Sequence, residues 1–170
     1  ATVIANTKQS PQTAQKIQRK PMTNNKTYKE LLEEADRLAY IGDFEESYAS
    51  YRKAAELEPK EMLPYIKIGE LAFSQKNYAL ALEHFELAQA QYPLNTDIKI
   101  KIVRSLIGMR KILAAKTKLE DIKPATQSTL YYQGLIMAFF NDQAGAKDTL
   151  KKSMEAGNDE KLRQNAQKIL

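Results

Sequence analysis

The chain has 170 residues, 28% of them charged, and a formal net charge of +5. With no cysteine and a single histidine it cannot form disulfides, thiolate metal sites or the usual zinc spacings. No apolar run approaches the roughly 18 residues that a membrane-spanning helix needs, and the length suits one domain with a sizeable core.

Residues 1–27 are polar and broken by Pro11 and Pro21. They carry Lys8, Lys16, Arg19, Lys20 and Lys26 with no acid, for a charge of +5. Their few apolar side chains, Val3, Ile4, Ile17 and Met22, cannot offset the entropy of ordering the segment by itself. This stretch reads as a basic, flexible tail whose bases are candidate contacts to a partner or to the acidic residues that follow. The first residue is Ala1. Removal of a signal or anchor segment would leave this start, and loss of an initiator methionine would do so nearly as well. The expected location is therefore extracytoplasmic, with the cytoplasm as the alternative.

From residue 28 the chain turns helical. Thr27 with Glu30 makes a capping box, so a first helix begins at Tyr28 and ends at Gly42. Asp43 with Glu46 caps a second helix over 44–57, stopped by Pro59. A third helix covers 62–75, and Asn77 caps a fourth over 78–91 ahead of Pro93. Asn95 or Thr96 opens another unit, strongly basic, with Gly108 late in its first helix and Pro124 arriving early. A further unit starts near Ser128. Beyond Gly157 and Asn158 the chain to residue 170 forms a last helix with Leu162, Ala166, Ile169 and Leu170 on one stripe and Lys161, Arg163, Gln164 and Lys168 facing away.

The helices repeat. A shift of 34 residues lays Ala35 on Gly69, Leu38 on Ala72, Phe44 on Tyr78 and Ser47 on Ala81; Tyr51, Ala54 and Pro59 meet Phe85, Ala88 and Pro93. The same shift carries Gly69, Ala72, Tyr78, Ala81 and Phe85 onto Val103, Leu106, Ile112, Ala115 and Leu119. A shift of 31 then reaches Gly134, Met137, Ala146 and Leu150. A 34-residue period with two helices per unit resembles the tetratricopeptide repeat (TPR) family, closely over 28–93 and degenerately over 96–157. The resemblance implies an all-α fold, an α-α superhelix of about four helix pairs (28–61, 62–95, 96–126 and 127–157) plus a capping helix over 158–170. Small residues permit close helix approach, and Phe44, Tyr51, Tyr78 and Phe85 are expected to fill the wedge between one pair and the next.

In that family the first helix of each pair lines a concave groove. The register places Leu32, Ile66, Ile100 and Tyr131 on its floor, with Asp36, Glu70, Arg104 and Leu135 one turn on and Tyr40, Phe73, Ile107 and Phe139 beyond. This mostly apolar stripe is the candidate site for a peptide or helix. The lysine and asparagine set with which some members hold the C-terminal carboxylate of chaperone tails is missing, since Leu32 and Asp36 stand at the first-repeat positions. The helix Leu130 to Phe140 is apolar nearly all round and should be covered on several sides.

Catalytic chemistry finds no support. His84, between Glu83 and Glu86, reads as a surface residue; Glu33-Glu34 and Glu45-Glu46 read as solvated faces; there is no glycine-rich phosphate loop. No cofactor or metal is expected. The sequence thus points to a non-catalytic interaction or scaffold module binding an apolar or amphipathic peptide. The alternative is a structural subunit of a large multiprotein assembly, anchored by its tail, Lys8, Lys16, Arg19 and Lys20, and by its outer or end faces. Nucleic acid is disfavoured because the basic third unit has no aromatic residue for stacking. The charges are compatible with peripheral contact to an anionic membrane.

Overall fold

Local signals set the first turn of the structure. Thr27 accepts a hydrogen bond from the backbone N–H of Glu30, and the Glu30 carboxylate accepts the Thr27 N–H in return, so α1 (Tyr28–Ile41) starts where the capping box puts it. In this computed structural model, which describes residues 26–170, eight further helices follow. They are α2 (Phe44–Leu57), α3 (Met62–Ser74), α4 (Tyr78–Gln91), α5 (Thr96–Gly108), α6 (Ile112–Glu120), α7 (Gln127–Phe139), α8 (Gln143–Glu155) and α9 (Glu160–Ile169). Among the described residues there is no strand, and no helix is long and apolar enough to cross a membrane. The bases Lys8, Lys16, Arg19 and Lys20 lie outside the described residues. Lys26, at the edge, pairs with Glu34 on α1.

Each of α1, α3, α5 and α7 packs on the even helix after it, successive pairs stack, and α9 packs on α7 and α8. The turn inside each pair is built the same way four times. Gly42, Lys76, Arg110 and Asn141 stand at equivalent positions, all with positive φ, 85°, 61°, 59° and 64°. The N–H after each donates to a carbonyl five residues back: Asp43 to Leu38, Asn77 to Ala72, Lys111 to Leu106 and Asp142 to Met137, at 2.9–3.0 Å. This is the Schellman arrangement, which satisfies orphan carbonyls at the helix end. Only one of the four sites is glycine. The other three hold a left-handed backbone against a steric cost of roughly 1–2 kcal/mol each. The expected side-chain cap at Asp43 is absent; the residue stands at the N-cap without that bond.

The core follows the small-on-large pattern. Ala35, Ala54, Ala72, Ala81, Ala88 and Ala115 are fully enclosed. A methyl group added at Gly69 would come within 2.5 Å of the Phe85 ring, and one at Gly134 within 2.7 Å of Leu150. The aromatic ring therefore sits over the small residue of its own pair, which corrects the expectation that Phe85 works mainly between pairs. Tyr78 does bridge pairs, its ring lying over Gly108 of α5. Phe44 does not fill a wedge at all and is 38% exposed.

The hydrophobic interior divides in two. One cluster runs from Ala35 and Tyr48 through Ile68, Phe85, Ile98 and Leu106 to Ile122 and Ile136. A smaller one joins Tyr131, Leu150 and Ala166, and Tyr132 packs against both. The last helix is tied down by polar bonds as well as by Ala166. The Gln127 side-chain amide donates to the Asp159 carbonyl at 3.0 Å and accepts the Asp159 N–H at 2.9 Å. Arg163, expected to face away, reaches back to the carbonyls of Met154 and Gly157. The C-terminal end of α7 is less covered than its apolar sequence suggested: Phe139 and Phe140 stack edge to face on each other at the surface.

Two substitutions separate backbone from packing effects. Phe85→Ala should cost about 3–5 kcal/mol, since the ring is enclosed and its removal opens a cavity. Gly42→Ala should cost only about 1–2 kcal/mol, because nothing lies within 4 Å of the added methyl and the penalty is conformational alone. Urea denaturation of both variants measures the two costs; a Gly42→Ala chain as stable as the parent would contradict the left-handed turn.

Candidate functional site

The odd-numbered helices present one side chain each per turn to a shared face, and an ion-pair ladder crosses it. Lys67 of α3 reaches Asp36 of α1 at 2.8 Å, and Lys101 of α5 reaches Glu70 of α3. Asp36 and Glu70 are 34 residues apart, as are Lys67 and Lys101, so the two rungs are the same contact made twice. Tyr51 donates its hydroxyl to Asp36, and Lys101 also lies 5.9 Å from the centre of the Phe85 ring. Partial burial alone would raise the Asp36 carboxyl. The hydrogen bonds from Lys67 and Tyr51 and the lysine charge outweigh it and hold the group below the ordinary aspartate range. Burial, reinforced by Asp36, drives the Tyr51 hydroxyl far above the usual tyrosine range. Two acids assigned to a ligand by register are thus engaged in joining successive pairs.

The ladder has no third rung. Arg104 stands where Asp36 and Glu70 stand in the preceding pairs, so the sign is reversed, and Tyr132 of α7, at the position equivalent to Lys67 and Lys101, offers it no acid. Arg104 packs its guanidinium on the Phe73 ring, 4.6 Å from the centre. Among the described residues it makes no ion pair.

Around this arginine a cavity of about 390 Å³ opens. Phe73, Ile107, Tyr131 and Leu135, all placed in the groove by register, line it with Arg104. Tyr78 and the last helix complete it through Asp159, Lys161, Leu162 and Asn165. Lys161 was expected to face away, and nothing in the period of the repeat signalled that the last helix would wall the groove. An adjoining recess of about 270 Å³ takes in Glu70, Phe73, Phe85, Lys101 and Arg104. Tyr132, partly buried where α7 meets α5 and α9, has its hydroxyl pushed up to about 12 by burial.

The remaining groove positions do other things. Leu32 and Ile66 are half-buried against the core and lie outside the cavity, while Ile100 and Tyr131 are less than a tenth exposed and, of these two, Tyr131 lines it. Tyr40, 91% exposed at the end of α1, and Phe139, at the end of α7, are the most accessible of the set but lie outside the cavity. His84 is not on the surface as expected: it is half-buried beside Tyr65, with ring centres 6.5 Å apart, and burial lowers its basicity. Its Nδ1 has no hydrogen-bond partner. Among the described residues, no three His, Cys, Asp or Glu side chains converge as metal ligands.

The fold is that of the tetratricopeptide repeat solenoids. Residues 41 to the end of MamA from Desulfovibrio magneticus RS-1 superpose with a TM-score of 0.67 at 19% identity, covering 78% of this chain and 77% of that one. A thermophilic TPR protein of Thermus thermophilus gives 0.68 at 13% identity, covering 84% and 81%. PilW, a type IV pilus biogenesis factor, gives 0.65 at 20% identity, covering 78% of this chain and 63% of its own. No protein-family model and no curated protein matches the sequence.

The Asp36 rung makes a pH-dependent contribution. A carboxyl lowered on folding stabilises the chain above the unfolded value of about 4 and loses that effect as pH falls through the folded value. Half-exposed as it is, the rung should be worth no more than about 1 kcal/mol. Asp36→Asn should be destabilised by that amount at neutral pH, and the gap to the parent should close below about pH 4 in urea melts. A gap that stays constant with pH would show the rung to be energetically silent.

Proposed function

We propose that this chain is a non-catalytic protein-interaction module, with residues 28–170 acting as one TPR domain that holds an apolar or amphipathic peptide or helix. The observation that carries this reading is the cavity of about 390 Å³ at which apolar side chains of three successive odd helices, Phe73, Ile107 and Leu135, converge. A space of that size accepts one or two large side chains of a ligand, and its aromatic and aliphatic lining rewards their burial. A face needed only to meet water would not keep these side chains half-exposed. Membership of a larger assembly is in keeping with this role, and PilW, a neighbour in fold, is a pilus biogenesis factor.

The test is recovery of partners from the native source on immobilised protein. Phe73→Glu and Ile107→Glu place a charge in the cavity at partly exposed positions that border the core, so the fold of each variant is checked alongside. Each should weaken capture by about 2 kcal/mol or more, roughly a 30-fold loss of affinity. Partners captured equally well by variants whose circular dichroism and melting match the parent would remove the groove from the account.

A further inference from the structure

The geometry assigns Arg104 as the reader of an acidic side chain in the bound peptide, one placed next to the apolar residue that fills the cavity. This rests on the groove-binding reading and narrows it.

The argument begins with the broken ladder. On α1 and α3 the equivalent position is an acid neutralised by a lysine of the next odd helix. On α5 it is a base, and α7 answers it with Tyr132 in place of an acid. Arg104 is half-buried on Phe73, in a cavity whose α3, α5 and α7 walls are aromatic and aliphatic and whose remaining wall carries Asp159, Lys161 and Asn165. A cation in such surroundings gains most from a carboxylate, whose two oxygens match the planar fork of a guanidinium. The one acid on the cavity wall, Asp159, directs a carboxylate oxygen to the start of α9, where it accepts the Leu162 N–H at 3.1 Å, and it makes no ion pair with Arg104. A second base, Lys161, stands on the same wall. Two bases against one acid leave the site net positive beside its apolar side chains, and Arg104 makes no ion pair among the described residues. The complementary ligand is a peptide with Asp or Glu within a turn of a large apolar side chain, not a basic peptide or a nucleic acid.

A random linear-peptide library, fused to phage coat protein through its C-terminus so that no free carboxylate is offered there, tests the idea on the full chain. Selected sequences should pair a large apolar residue with a nearby Asp or Glu. One selected peptide is then made with an amidated C-terminus, alongside its Asn or Gln counterpart, and titrated by fluorescence anisotropy. Arg104→Gln should weaken the acidic peptide about tenfold, the range of one charge-assisted hydrogen bond, and leave the neutral counterpart unchanged. Arg104→Lys should recover part of the loss. Binders that depend on Phe73 but carry no acid, or that lose equally with either peptide in Arg104→Gln, overturn the assignment and leave the groove standing. A library giving no binder sensitive to Phe73→Glu overturns the groove as well.

Discussion

Two helices packed face to face bury one stripe each and leave their outer flanks apolar. The structure depends on that incomplete burial, because a pair gains most of its stability when another pair covers it. The small residue in the odd helix is what allows the pair to close. At Gly69 and Gly134 the partner side chain, Phe85 or Leu150, occupies the volume a methyl group would need. At Ala35 and Val103 the same position is filled and fully buried. Once the helices are that close, the flank they present has a fixed shape, and the next pair must match it.

Polar bonds set the direction in which the pairs follow each other. The Asp36–Lys67 and Glu70–Lys101 rungs tie the odd helices together along one face, where they are only partly shielded from water and contribute modestly. They join three odd helices along the face that carries the cavity. The ladder ends where the period shortens from 34 to 31 residues. There α6 is only 9 residues long, and a recess of about 340 Å³ lies between α6 and α7, lined by Leu119, Ile122, Ile136, Met137 and Phe140 with Lys116 and Glu120 at its rim. The main hydrophobic cluster crosses this junction as far as Ile136 of α7, and the smaller one is confined to α7, α8 and α9. The same break that interrupts the ion pairs leaves Arg104 without a counter-charge and makes room for Tyr132 and α9.

The chain shares its architecture with solenoids to which it is at most 20% identical among the comparisons described. Low identity is expected of such folds. Each position in the repeat demands a size class and a side of the helix, not a particular residue, and many sequences satisfy that.

Composition, caps and the spacing of small and aromatic residues were enough, by themselves, to determine the helical class, the pairing and the helix starts at Tyr28, Phe44, Met62 and Tyr78. These are local or periodic properties, so they survive in a linear string. The left-handed turns at Lys76 and Arg110 were hidden, because neither carries glycine or asparagine, the residue types that signal such a turn at Gly42 and Asn141. The groove was half legible. Register identified the helix face, but packing decided that Ile100 and Tyr131 would be covered while Phe73, Ile107 and Leu135 stayed partly exposed. Which charges cancel, and that the last helix turns Lys161 and Leu162 towards the cavity, depend on distances between elements far apart in the chain. Periodicity carries no information about those distances; only packing in three dimensions decides them.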